Sequence, residues 1–224
     1  MLTIIPDILD ATQLKQVQTL LSESQFVEGR LSAGQDARRV KNNQELKTDA
    51  KQIEQLNQLV MGTLVQHPVY QAATLPSRIA TPYYARYTSG MSYGDHIDDP
   101  IMGAPGSQYR SDISVTLFLN AADQYEGGEL MIRTSYGNQR IKLNAGDAVF
   151  YPSSSLHRVN EVTSGERLVA VSWIQSLVRD PQQRELLFQL YQSREVLRKE
   201  QADTAVTAQI DQVYVNLVRR WSEI

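Results

Sequence analysis

From Thr81 onward the hydrophobic period of the chain changes. The segments TPYYARY, DISVTLFLN, GELMIR, QRIKL, DAVFYP and ERLVAVSWI are short, rich in β-branched and aromatic residues, and separated by Gly, Asp, Asn or Ser. This is the pattern of strands. No helical repeat interrupts it, so the stretch predicts about seven or eight strands closed into a sandwich or double sheet such as a jelly roll. On either side the helical period returns. Asp10 and Gln13 stand at capping-box spacing before Leu14, Val17, Leu20 and Leu21, which predicts a helix over 11–22. Thr48 is placed to cap a second helix, whose Ile53, Leu56, Leu59, Val60 and Leu64 form one apolar stripe ending near His67. Residues 28–47 between these helices read as polar and irregular. Asp180 and Pro181 start a further helix with Leu186, Leu187, Leu190 and Val196, and Ile210, Val213, Leu217 and Trp221 mark a last one. Such stripes ordinarily pack on the parent domain, with a homo-oligomer seam as the alternative. The expected fold class is therefore mostly β with flanking helices (α+β): an N-terminal helical region over 1–77, a jelly-roll core over 78–178 and a C-terminal helical extension over 179–224.

The chain has 224 residues, 42% of them hydrophobic, enough for one sizeable core. Its 22 Lys and Arg are scattered and its net charge is −3, which argues against nucleic acid as a partner. Neither a leader pattern in MLTIIPDILDATQLK nor a run of about 18 apolar residues is present, so a cytoplasmic protein without a membrane partner is expected. The absence of Cys excludes disulfides and thiolate metal sites and leaves His, Asp and Glu as the strong metal ligands.

Only three histidines occur, and one stands in Tyr93-Gly94-Asp95-His96-Ile97-Asp98. On an extended strand positions i and i+2 share a face, so His96 and Asp98 can reach one metal. By itself His-x-Asp is a common pair that fits a solvated strand end equally well. His157, in the later strand region AGDAVFYPSSSLHRV, supplies a distant third ligand. Two His and one carboxylate form a facial triad that leaves positions open for a chelating co-substrate and dioxygen on non-haem iron(II). Zinc hydrolases use a similar set, so the triad alone leaves the reaction open. Arg167 narrows it. It follows His157 by ten positions, across a turn read at Thr163-Ser164-Gly165, which places the two on arms of one hairpin facing one cavity. Val169, Val171 and Trp173 share its parity and line an apolar interior, where an inward guanidinium needs an anionic partner such as a dicarboxylate tail.

Taken together, Tyr87 to Asp98, then Ser114-Val115-Thr116-Leu117-Phe118-Leu119-Asn120, Glu126-Gly127-Gly128-Glu129-Leu130, and His157 with Arg167 carry a resemblance. The run from Thr81 to Ser176 looks like the double-stranded β-helix of the prolyl-4-hydroxylase-like Fe(II)/2-oxoglutarate dioxygenases. With its helical tail, the whole chain resembles the bacterial PKHD-type hydroxylases associated with iron uptake. The resemblance implies iron ligation by His96, Asp98 and His157, 2-oxoglutarate binding by Arg167, dioxygen as co-substrate and use of L-ascorbate to rescue oxidised iron. Catalysis would then run through the three iron ligands, hydroxylating an unidentified small-molecule, peptide or protein substrate. One departure stands out: Phe118 occupies a place where prolyl hydroxylases often carry a tyrosine, so Tyr87 and Ser172 become the candidates for the second contact to the co-substrate carboxylate. Asp99 to Gly106 has the Gly and Pro content of a mobile lid, or of an ordinary connection. Tyr109 and Arg110 follow it as substrate contacts or rim residues. His67, near a helix end, reads as a capping or C-terminal charge partner rather than a ligand. The rival readings are a non-catalytic cupin-like metal or small-molecule binding module, which leaves Arg167 without a task, and a metal-dependent hydrolase or isomerase, which needs a positioned general base.

Overall fold

The alternating segments pair into two antiparallel sheets with a helical layer on one outer face. In the computed structural model, which describes residues 1–32, 34, 37–47, 50–200 and 204–224, the first part runs β1 (Thr3–Ile5), α1 (Ala11–Ser22), β2 (Phe26–Glu28), β3 (Lys41–Asn42), β4 (Gln44–Leu46), α2 (Ala50–Leu64) and α3 (Pro68–Thr74). The β-rich part follows: β5 (Pro76–Ile79), β6 (Tyr83–Thr88), β7 (Ser92–His96), β8 (Ile101–Met102), β9 (Tyr109–Arg110), β10 (Ile113–Phe118), β11 (Tyr125–Gly127) and β12 (Leu130–Thr134). It continues through β13 (Gly137–Ile141), β14 (Ala148–Pro152), β15 (His157–Val159) and β16 (Val162–Ser176), and α4 (Pro181–Glu200) and α5 (Ala205–Trp221) end the chain. The large sheet has the order β1-β14-β10-β16-β6-β4-β2, with β5 and β11 pairing to the long β16, and the small sheet has the order β13-β12-β15-β7-β3.

Period-two alternation sorts each side chain into one of two cores. Between the sheets lie Ala85, Tyr87, Leu130, Ile132, Tyr151, Val159, Val162 and Val169. On the outer face of the large sheet, Val17 and Leu21 of α1, Leu56, Val60 and Leu64 of α2 and Tyr70 of α3 pack on Val115, Leu117, Phe150, Ala170 and Ile174. At roughly 1.5–3 kcal/mol for each fully buried large apolar side chain, these stripes hold the helices to the sheet. The capping box at the start of α1 is formed: Asp10 accepts from the backbone N–H of Thr12 and Gln13, and Gln13 Oε1 accepts from the Asp10 N–H. Thr48, expected to cap α2, lies outside the described residues.

Three expectations are corrected here. The range 28–47, expected to be irregular, contains strands among its described residues: β3 edges the small sheet beside β7 and β4 extends the large sheet beside β6. These two- and three-residue strands are built of Lys, Asn, Gln, Glu and Leu and join by backbone pairing, which side-chain pattern does not report. Second, α3 was not foreseen. His67 is its N-cap, without a side-chain cap bond, Pro68 opens it, and Leu75 closes it in the left-handed region at φ 44°. Third, the C-terminal stripes divide. Asp180 caps α4 through Gln182 and Gln183, and Leu187 and Phe188 are buried, Phe188 against Ala72 and Ala73 of α3, yet Leu186, Val196 and Val213 stay exposed. The reason is that α4 and α5 meet through Tyr191, Tyr214 and an Arg194–Asp211 ion pair rather than through those aliphatic residues. Among the described residues, no helix is long and apolar enough to cross a membrane.

Candidate active site

Strand β15 lies between β12 and β7, and its register sets His157 directly opposite His96. The two imidazole centroids are 4.2 Å apart. Strand β7 ends at His96, two residues before Asp98, but the alternation persists: Ile97 is 54% exposed, while the side chains of His96 and Asp98 are 6% and 9% exposed. Asp98 Oδ1 is thereby 3.9 Å from Nε2 of both histidines, and the three donor atoms all lie within 4.8 Å of one another. With metal–ligand bonds of about 2.1 Å, donors on one ion stand roughly 3–4.2 Å apart, a range that holds both Asp98–histidine distances, and the cluster as a whole is of the size that a single cation draws together.

Their orientation is held from behind. His96 Nδ1 donates to the carbonyl of Gly94 at 2.8 Å and His157 Nδ1 to that of Ser155 at 2.9 Å, which leaves each Nε2 with its lone pair toward the other donors. Burial, then the neighbouring His157, holds His96 down to about 4, so its ring is neutral near pH 7 and its contact with Asp98 is not an ion pair. Ser114 donates to Asp98 Oδ2 at 2.5 Å and shares a 2.8 Å hydrogen bond with Ser153.

The triad opens into a cavity of about 920 Å³ that also takes in Arg167, Tyr87, Tyr151, Tyr109, Val171 and Trp173. Arg167 is 1% exposed, its Nε has no hydrogen-bond partner, and among the described residues no carboxylate pairs with it. Its guanidinium carbon lies 5.1 Å from the Tyr87 ring, its cross-strand neighbour on β6, and 5.4 Å from that of Phe118. Gly128, at φ +67°, makes room for it, since a Cβ there would stand 3.1 Å from Arg167 Cδ.

His157 and Arg167 do not form a hairpin. Both edges of β15 are already taken by β12 and β7, so the chain crosses to the large sheet, where β16 runs between β10 and β6. Thr163-Ser164-Gly165 is strand rather than turn, pairing with β11. The two residues therefore face each other across the cavity from opposite sheets.

Two further candidates are misplaced by one step of alternation. Ser172 points with Ala170 and Ile174 away from the cavity and donates to the Ala80 carbonyl at 2.8 Å, so it is not positioned for a co-substrate. Arg110 turns out of the cavity into ion pairs with Asp112 and Glu223, while Tyr109 beside it faces in. Tyr87 faces in, with its phenol pushed up to about 12, first by burial. His67 is no part of the triad. The segment after Asp98 is a small β8–β9 hairpin whose Ile101, Met102 and Tyr109 border the cavity, tied at its base by Ser111 Oγ donating to the Asp99 carbonyl. Sequence reasoning missed Tyr151, whose ring is 5.1 Å from that of His157. It also missed Tyr125 beside Arg167 and the Ser114–Ser153 pair. The inward parity of Tyr151 along DAVFYP was the available signal.

Residues 82–175 match the family described as 2OG-Fe(II) oxygenase superfamily, and residues 181–223 match the PKHD-type hydroxylase C-terminal domain. A PKHD-type hydroxylase of Thioalkalivibrio sulfidiphilus is 50% identical over 224 residues, the full length of both chains. The chain belongs to the PKHD-type hydroxylases. Another member, from Stenotrophomonas maltophilia, is 44% identical over 225 residues, again covering both chains fully. Among solved structures, a prolyl hydroxylase of Trichoplax adhaerens shares the fold at TM-score 0.56 and 18% identity, over 83% of this chain and 86% of that one. The PKHD-type hydroxylase is thus a 2-oxoglutarate-dependent dioxygenase on a jelly-roll core, a family that uses Fe(II), 2-oxoglutarate and dioxygen, and the non-catalytic and hydrolytic readings fall away.

Proposed function

We propose that His96, Asp98 and His157 hold the iron(II) of this hydroxylase and that Arg167 takes the distal carboxylate of 2-oxoglutarate. The observation that carries the reading is the buried Arg167, unpaired by any carboxylate among the described residues and lining the same cavity as the three donors. A guanidinium left so would cost several kcal/mol, and a dicarboxylate offsets that cost with a charge-assisted, bidentate contact. Iron(II), when bound, supplies the dioxygen chemistry that couples decarboxylation of 2-oxoglutarate to succinate and carbon dioxide with hydroxylation of the substrate. The side chains provide the frame. Ser114 fixes Asp98, the Gly94 and Ser155 carbonyls fix the histidine tautomers, and Leu130, Val159 and Val171 keep the cavity wall apolar. Tyr87, protonated at working pH because of its burial, is an O–H donor for the co-substrate carboxylate. Tyr109 and the β8–β9 hairpin form the substrate side, with the hairpin as a lid.

Anaerobic titration of the iron(II) protein with 2-oxoglutarate tests this, because the chelate gives a visible charge-transfer band. In Arg167→Ala, 2-oxoglutarate binding weakens by about 2–5 kcal/mol while metal affinity stays, and in His157→Ala both are lost. Equal behaviour of the two variants sinks the assignment. Finer points rest on the family resemblance and composition: L-ascorbate as reductant for oxidised iron, a role in iron uptake or homeostasis, a cytoplasmic setting, and neither nucleic acid nor membrane as partner. The exposed Leu186, Val196 and Val213 support a homo-oligomer through α4 and α5. The substrate is a prolyl or lysyl side chain, a free amino acid or a siderophore-like molecule, and a metabolite screen following succinate release separates these.

A further inference from the structure

Tyr93 connects the triad to an ion pair supplied by the N-terminal strands. Its ring stacks on that of His96, with centroids 3.6 Å apart and planes inclined by 11°. Lys41, its cross-strand neighbour on β3, holds Nζ 5.4 Å from the centroid of the same ring, within cation–π range. The ammonium in turn donates to Glu45 Oε1 at 2.5 Å, and the two side chains are only 8% and 12% exposed. All three residues border the cavity. The β3 edge is pressed onto β7 by the Gly94 N–H bond to the Val40 carbonyl at 2.9 Å, and a Cβ on Gly94 would stand 2.8 Å from Val40 Cβ. Lys41 and Glu45 lie outside residues 82–175, the part shared with the wider oxygenase superfamily.

Removing an ion pair from water costs free energy that its own attraction rarely exceeds, so packing alone does not account for one beside a metal centre. A fixed positive charge acting through a low-dielectric wall disfavours any added positive charge nearby. We propose that Tyr93 and Lys41 are positioning residues for the metal centre: Tyr93 holds the plane of the His96 ring, and the Lys41 ammonium, tempered by Glu45, biases the bound ion toward iron(II) over iron(III). The inference rests on His96 being an iron ligand.

The test uses the full chain. Cobalt(II), titrated into the wild type and followed by its visible bands, binds one ion per chain; if none binds, the metal assignment itself falls. Tyr93→Leu lowers cobalt(II) affinity about ten- to a hundredfold and Tyr93→Phe restores it, as expected for a residue that orients a ligand. In an anaerobic mediated titration, where dithionite gives one electron to each iron(III), Lys41→Met shifts the midpoint to lower potential and Glu45→Gln to higher, while Lys41→Arg stays near the wild type. A purely structural ion pair would move Lys41→Met and Glu45→Gln in the same direction. That result, or no shift in variants whose circular dichroism is native, overturns the proposal with cobalt(II) binding intact. If Lys41→Met does not fold, Glu45→Gln decides alone, and a midpoint at or below the wild-type value overturns it.

Discussion

Asp98 offers one carboxylate oxygen to the two imidazoles and gives the other to Ser114, so a hydroxyl 16 positions away decides which way the carboxylate faces. Replacing Ser114 with Ala leaves the first set of donors complete but frees that rotation, and calorimetry should read a loss of about tenfold in cobalt(II) affinity with the fold unchanged. At this scale the triad was legible, because His96, Asp98 and His157 carry a chemical signature in their identities and spacing. Ser172 and Arg110 were not. Each differs from an inward neighbour by a single step of alternation, and nothing in their side-chain chemistry says which parity faces the cavity.

The elements that build the site divide by how local their causes are. Helix α1 was readable from Asp10 to Ser22 because a cap and a stripe are short-range features. Asp10→Ala removes the acceptor for two backbone N–H groups and lowers stability by about 1 kcal/mol, seen as a lower melting temperature without change at the metal site. Strand β15 shows the opposite case. Its three residues were correctly extended, but their partners come from β12 and β7, and that non-local pairing is what sends Arg167 to the other sheet. Strands β3 and β4 escaped notice for a related reason: Lys41, Asn42, Gln44 and Glu45 carry no apolar alternation, and their strand state is imposed by the edges they complete.

For the whole molecule, the proposed ligands are brought together only by folding, which would make metal binding a source of stability. The donors come from two separate strand regions of the small sheet, so the unfolded chain cannot present them at this spacing. Cobalt(II) at about a hundred times its dissociation constant should raise the unfolding free energy by roughly 2.7 kcal/mol, measured by denaturant titration, and the gain should vanish in His96→Ala. A gain that survives in that variant would place the binding elsewhere. The jelly-roll class and the helical flanks were legible in the change of period at Thr81 and its return after Arg179, since both are bulk properties of the pattern.

The split of the site across two sheets also makes the protein a caliper. One jaw carries His96, Asp98 and His157, the other carries Arg167, and the apolar filling between them sets the opening. Under the proposed assignment, the length of diacid that fits is written in Val159, which lines the cavity, and in Val162 and Val169 packed behind it; none bears a charge, and trimming one of them would alter the gauge before it altered either jaw.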